Sequence, residues 1–215
     1  MLLLGDAHAN DPDNREALLA AYRTADEEVA LQLGDLLHYD LPLSTWFIAG
    51  NNEEFDVIES LRRGDAALVN PDARPRLLAN NVVEIEGLGI AGLSGNYAPT
   101  QYDRERSELS GEKRRHFVRK DVERAMDLPD VDVLLTHEAP HGLLCVAGRD
   151  PGCEPVDALL EALSPDLCLV GHYHRHSEAT IGGSRVVSLA PVWEGYYTLD
   201  AGTLELAFHE RSTSD

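Results

Sequence analysis

VALQLGD, residues 29–35, is an apolar run that stops at a glycine followed by a carboxylate. Apolar runs ending in a polar, metal-capable residue recur in LLLGDAH (2–8), TWFIAGNN (45–52), VDVLLTH (131–137) and DLCLVGHYH (166–174). Each run is too short for a helix and reads as a strand buried on both faces. Helical patterns lie among these runs. Ala17, Leu18, Ala21 and Tyr22 form an apolar stripe over Asp13–Ala25, with Asp13 or Asn14 able to cap it. Glu53–Arg63, Glu112–Met126 and Pro155–Leu163 read as further helices. Val82–Ile85 and Leu88–Leu93 read as paired strands around Glu86-Gly87, and Asn96–Ser110 as a polar loop. Hairpins are expected at Glu178–Ile181 with Ser184–Leu189, and at Tyr196–Leu199 with Leu204–Phe208. Alternating αβ units followed by antiparallel strands predict a layered α/β domain with two sheets and outer helices. One domain over residues 1–215 is expected from the length.

The composition narrows the functional classes. The chain is 43% hydrophobic, which excludes a disordered protein, and no stretch approaches the ~20 apolar residues of a membrane span. The apolar opening Met1–Gly5 lacks a basic flank and runs straight into Asp6, so a signal peptide is not expected and the reading is cytoplasmic. Cys145, Cys153 and Cys168 are odd in number and lack a CxxC spacing, against a disulfide framework or a structural zinc site. The net charge is −20, and lysine occurs only at Lys113 and Lys120. This charge reads as adaptation to a salt-rich, halophilic cytoplasm, where screening relieves self-repulsion; an ordinary acidic, solvated surface is the alternative. Either way the overall field repels nucleic acid.

The strand ends carry the chemistry. Five of them finish in metal-capable side chains: Asp6 and His8, Asp35, Asn51, His137, and His172 with His174. Parallel sheets build sites at the carboxyl ends of their strands, where loops converge. Alternate residues of an extended stretch point the same way, so Asp-x-His and His-x-His each offer two ligands. A glycine before four of the ends allows a tight turn. A single histidine at a strand end means little, but five such ends in one chain are hard to obtain from packing alone.

The set D-x-H, G-D, G-N-N-E, T-H and G-H-x-H, from Asp6 to His174, resembles the calcineurin-like metallophosphoesterase superfamily. The resemblance implies a four-layer αββα sandwich with two mixed sheets and two divalent metal ions. It assigns Asp6, His8, Asp35 and His174 to one metal and Asp35, Asn51, His137 and His172 to the other, with Asp35 bridging. Mixed nitrogen and oxygen ligands without thiolate suit Mn²⁺ first, and also Fe, Zn²⁺ or Ni²⁺. The implied activity is phosphoester hydrolysis by a metal-bound hydroxide. Asn52, Asp35 and His137 are the expected catalytic residues.

One position departs from the family pattern. The residue after the ligand Asn is usually His, and here it is Asn52. An amide can donate to a phosphoryl oxygen but cannot supply a proton near neutral pH. His38 or His141 could replace the missing acid, or be ordinary loop histidines, while Glu53 and Glu138 are expected to support ligands or open helices.

The stretches VVEIEGLGIAGLSGNY (82–97), RHFVRKDVERAM (115–126) and VDVLLTHEAPHG (131–142) are similar to RNA lariat debranching enzymes, which cut phosphodiesters. Those enzymes have Cys where this chain has Asp6, so the likeness favours phosphodiesters without implying debranching. Arg104, Arg106, Arg114 and Arg115 lie among Tyr97, Tyr102 and His116. They could grip phosphate and stack a base of a nucleotide, RNA or DNA, or simply balance neighbouring acids. A phosphomonoesterase or protein phosphatase is the alternative activity, and a metal-binding scaffold with little catalysis is the second alternative.

Overall fold

A computed structural model describes residues 1–64 and 75–211. The first half-molecule is built on β1 (Leu2–Leu4), α1 (Pro12–Thr24), β2 (Val29–Gln32), β3 (Ser44–Phe47), α2 (Phe55–Arg63) and β4 (Pro75–Leu77). The second holds β5 (Val82–Ile85), β6 (Leu88–Leu93), the short α3 (Pro99–Tyr102), α4 (Arg119–Met126), β7 (Val133–Thr136), α5 (Glu154–Leu163), β8 (Leu167–Val170), β9 (Ser177–Ile181) and β10 (Ser184–Ser188). β11 (Gly195–Leu199) and β12 (Leu206–Glu210) close the chain back onto the first sheet.

Two six-stranded mixed sheets result, in the orders β12-β11-β1-β2-β3-β4 and β5-β6-β7-β8-β10-β9. In the first, β1 to β4 run parallel, with β11 antiparallel against β1. In the second, β6, β7, β8 and β10 run parallel, flanked by antiparallel β5 and β9. Alternation along each strand divides the side chains between two faces. Leu3, Leu31, Ile48, Leu135, Leu169 and Val187 meet between the sheets. Leu2, Leu4, Ala30 and Phe47 instead pack on Leu18 and Tyr22 of α1 and Ile58 of α2. On the far side, Leu134, Cys168 and Val186 pack on Val122 of α4 and on Val156, Leu159 and Leu160 of α5. The layers are therefore helix, sheet, sheet, helix, as expected.

Several expected elements change. α1 is capped by Asp11, not Asp13 or Asn14: its carboxylate accepts from the amides of Asp13 (2.9 Å) and Asn14 (3.3 Å), and Pro12 fills the first helical position. α2 starts at Phe55 because Glu53 turns into the core instead of opening the helix. The expected helix Glu112–Met126 is two pieces, a 3₁₀ turn at Gly111–Arg115 and α4. Between them His116 is bridged to Asn96 and the Phe117 ring is buried in the outer core, which forces extended backbone there. The polar loop Asn96–Ser110 contains α3 and a 3₁₀ turn at Arg106–Glu108. β4, three residues beginning with proline at the sheet edge, had no periodicity to announce it.

Candidate metal centre

The carboxyl ends of β1, β2, β3, β7 and β8 converge, and all seven expected ligands come together there. The ligand atoms of Asp6, His8 and His174 lie within 4.8 Å of one another, and so do those of Asp6, Asp35 and His137. Asp6 is common to both groups, and Asp35 lies between His8 and His137. Asp35 Oδ2 is 3.4 Å from His8 Nε2, and its Oδ1 is 3.6 Å from His137 Nε2. His137 Nε2 is also 3.1 Å from Asn51 Oδ1. The His172 ring lies 4.9 Å from the His137 ring, centroid to centroid, and its amide donates to Asp6 Oδ1 at 2.9 Å.

Tight backbone packing brings these groups so close. A Cβ on Gly50 would sit 2.2 Å from Asp35 Oδ1 and 2.6 Å from His137 Cε1. One on Gly171 would sit 2.9 Å from Asp6 Oδ1. The glycines act through this close approach, and Gly34 (φ 101°) also makes the expected turn. Left-handed backbone also falls on four of the expected ligands: His8 (φ 44°), Asp35 (φ 53°), His172 (φ 72°) and His174 (φ 51°). Non-glycine residues in that region store strain of order 1–3 kcal/mol each, which the surrounding fold must offset.

Three polar residues hold the ligand loops. Gln32, fully buried, donates to the carbonyls of Gly34 (2.6 Å) and Gly5 (3.2 Å) and accepts from Gly34 N (2.9 Å). It ties together the two loops that present Asp6 and Asp35. Glu53 accepts from Leu36 N (3.1 Å), Gly50 N (3.3 Å) and the Tyr39 hydroxyl (2.5 Å), joining the Asp35 and Asn51 loops. Burial pushes the Glu53 carboxyl up to about 7 despite these donors. Glu138 accepts from Tyr97 N and from the Tyr173 hydroxyl, both at 3.0 Å, and so fixes the loop bearing His172 and His174.

The donor set fits a pair of cations. His137 Nδ1 lies 2.8 Å from the Leu33 carbonyl, which can only accept, so that nitrogen carries the proton. Its Nε2 then faces the Asn51 amide oxygen, an approach that calls for a second proton or a cation. Burial lowers the His137 pKa, but the Asp6 and Asp35 carboxylates outweigh it and raise the value. Burial likewise opposes ionisation of Asp6, yet His137 and His174 hold its carboxyl below the usual range. Burial and then His137 push His172 down. The Asp6 carboxylate, 2.9 Å from its Nε2, raises His174 against its burial. Asp6 Oδ2 is buried without hydrogen-bond geometry to any group, although His174 Nε2 is 2.9 Å away. His8 and His174 bring their Nε2 atoms to 3.2 Å. Buried carboxylates and opposed imidazole nitrogens of this kind are satisfied by divalent metal.

Around this cluster the other expected residues divide. Asn52 lies beside it, donating from its backbone to Asp35 Oδ1 (2.7 Å) and from its amide to Asp35 Oδ2 (2.8 Å). His141 is tied to Asp157 of α5 at 2.5 Å, which raises its pKa and engages its ring away from the ligands. The arginines are largely paired: Arg106 with Asp121 (2.7 Å), Arg114 with Asp56 (2.7 Å) and Arg115 with Glu112. Arg104 is exposed. Tyr97 stacks on Phe117 at 5.9 Å and Tyr102 meets both edge-on, so these rings pack on one another. Trp193 was not foreseen. Its ring lies 5.0 Å from His174 and 5.9 Å from His8. Nothing in the local sequence of a residue near the end of the chain signals that contact.

Similarity to known proteins agrees with the architecture. One solved structure aligns over 98% of both chains with a TM-score of 0.74 at 14% identity. The protein TT1561 of Thermus thermophilus aligns over 97% of both chains with a TM-score of 0.67 at 20% identity. GAP50, the anchor in the inner membrane complex of Plasmodium, aligns over 90% of this chain and 72% of its own with a TM-score of 0.51 at 10% identity. No curated protein sequence matches significantly. Among the described residues no helix is long and apolar enough to cross a membrane. The family described as calcineurin-like phosphoesterase matches residues 1–176, and the chain belongs to that family.

Proposed function

We propose that this member of the calcineurin-like phosphoesterase family is a two-metal phosphodiesterase acting on nucleotide or nucleic-acid phosphodiesters. The observation that carries the reading is Asp35, whose two carboxylate oxygens face different ligand groups, one toward His8 and one toward His137. Asp6, His8 and His174 would hold one ion, and Asn51, His137 and His172 the other, with Asp35 shared. Mn²⁺, Fe, Zn²⁺ or Ni²⁺ would suit these nitrogen and oxygen donors, and Mn²⁺ is the ion proposed. When bound, the pair supplies Lewis acidity toward the phosphoryl oxygens and activates water as the nucleophile.

The chain's own residues do the rest. Gln32, Glu53 and Glu138 hold the ligand loops at fixed spacing, which pre-pays the ordering of the site. His137 keeps its Nδ1 proton on the Leu33 carbonyl and so presents Nε2. Asn52 can turn its amide from Asp35 to a phosphoryl oxygen, stabilising charge without transferring a proton. His141 does not take the place of the family's proton donor, since its ring is held by Asp157. Turnover is then expected to fall steeply as the leaving group becomes less acidic. The preference for diesters rests on the resemblance of residues 82–142 to diester-cutting enzymes.

The test is hydrolysis of paired nitrophenyl mono- and diesters in Mn²⁺, at low and at molar KCl. Diester preference is expected. Monoester preference would assign a phosphatase. Hydrolysis of neither would favour a scaffold, a reading to which the Asn52 amide lying on Asp35 lends its only support.

A further inference from the structure

A second polar cavity, of about 530 Å³, lies between α2, the β4–β5 connection and α4. It contains none of the metal-centre residues. Three of its polar side-chain atoms are buried and lack hydrogen-bond partners among the described residues: Arg62 Nε, Arg106 Nη1 and Asn80 Oδ1. Their neighbours explain why they are fixed in that state. Arg106 directs Nε (3.1 Å) and Nη2 (2.7 Å) to Asp121 Oδ2, and Nη2 also to the His116 carbonyl (3.0 Å), which leaves Nη1 over. Asn80 donates its amide to Asp121 Oδ1 at 3.3 Å, which leaves its oxygen over. Glu59 Oε1 stands 3.8 Å from Arg62 Nε and 3.9 Å from Arg106 Nη1, outside hydrogen-bond reach of both.

Buried guanidinium N–H groups left unpaired are destabilising, and two neighbouring arginines repel. Among the described residues three arginines line the cavity (Arg62, Arg106 and Arg124) against two carboxylates (Glu59 and Asp121), a positive excess on a chain of net charge −20. Burial, and then Arg106, bring Arg62 down to about 10 against the opposing pull of Asp121 and Glu59. An anion supplies acceptors for both arginines. Asn80 Oδ1 adds a further requirement, because it needs a donor. Chloride and sulfate have acceptors alone at neutral pH, whereas hydrogen phosphate carries both acceptor oxygens and a hydroxyl.

We propose that this cavity binds a hydroxyl-bearing oxyanion of the hydrogen-phosphate type, with Arg62 Nε and Arg106 Nη1 donating and Asn80 Oδ1 accepting. The volume leaves room for an ester group on the phosphate. The site stands on its own residues and does not depend on the reading of the metal centre. The test is titration of the full-length, metal-loaded protein with inorganic phosphate, observing the side-chain Nε–H resonances of Arg62 and Arg106 by NMR. Sulfate at matched ionic strength is the comparison. Saturable shifts of both resonances are expected with phosphate and weaker ones with sulfate. In Arg62→Met the Kd read at Arg106 should rise by about tenfold, the loss of one charge-assisted hydrogen bond. Phosphate bound at the metals would not shift these two resonances. Unmoved resonances while phosphate inhibits hydrolysis would overturn the site, and equal response to sulfate would overturn the hydroxyl requirement. The wild-type titration decides even if the variant fails to fold.

Discussion

Gly50→Ala is expected to damage both the fold and the metal centre. The added Cβ would stand 2.2 Å from Asp35 Oδ1, 2.6 Å from Asp35 N and 2.6 Å from His137 Cε1. Carbon contacts are favourable near ~3.5–4 Å, so each overlap is roughly 1 Å. The neighbours have little room to retreat. The His137 ring is fully buried and bound to the Leu33 carbonyl, and Asp35 is held by two donors from Asn52. Overpacking of a rigid site costs about 1–3 kcal/mol, and the upper end applies here. For a chain of this length that is a fall in Tm of roughly 6–12 °C. Because Asp35 is the group displaced, Mn²⁺ affinity should fall in parallel. Gly87→Ala is the control: its φ of 83° makes alanine strained, but nothing lies within 4 Å of the new Cβ. That strain is about 1–2 kcal/mol with no effect on metal. Circular dichroism melts and Mn²⁺ titration calorimetry read both variants. A Gly50→Ala protein with wild-type Tm and wild-type metal affinity would refute the packing argument.

Asp121→Asn should destabilise the chain by about 2 kcal/mol, because it removes the carboxylate that pairs with Arg106 in a half-buried setting. Burial raises the Asp121 pKa but Arg106 outweighs it and lowers the value below 3.8, so its stabilisation is present above that pH and lost as pH falls through the folded value. In urea melts the gap between wild type and Asp121→Asn should be full at neutral pH and close on acidification; a constant gap would contradict the ion-pair account. Asn52→His should raise turnover of diesters with poorly acidic leaving groups by about tenfold or more, while good leaving groups change little. A uniform change across a leaving-group series would show that proton donation does not limit the reaction. Native protein should show one fast thiol toward an aromatic disulfide, Cys145, since Cys153 and Cys168 are buried and pushed up to about 12. A second fast thiol would contradict their burial.

β1, β2, β7 and β8 were legible because each is buried on both faces and reads as an apolar run ended by a ligand, after a glycine in all but β7. VALQLGD shows both the strength and the limit of that signal. Its pattern announces β2 and Asp35, but the role of Gln32 as a tie between the Gly5 and Gly34 carbonyls depends on β1 lying alongside. The break at His116 and Phe117 was hidden because the charge pattern of residues 112–126 is helical, while the decision is made by a buried aromatic ring and a bridge to Asn96. The basic segment left a phosphate grip and simple charge balance both open because Arg114 finds its partner, Asp56, on α2, far away in sequence. Trp193 reaches His8 and His174 only after the chain has crossed both sheets, so no local pattern carries it.

Metal content tests the central claim most directly. After dialysis against excess Mn²⁺ and removal of free ion, elemental analysis should find two divalent ions per chain, and His137→Ala and His8→Ala should each lower that number. Two ions retained in both variants, or none bound by the wild type, would contradict a centre built from the strand ends that VALQLGD exemplifies.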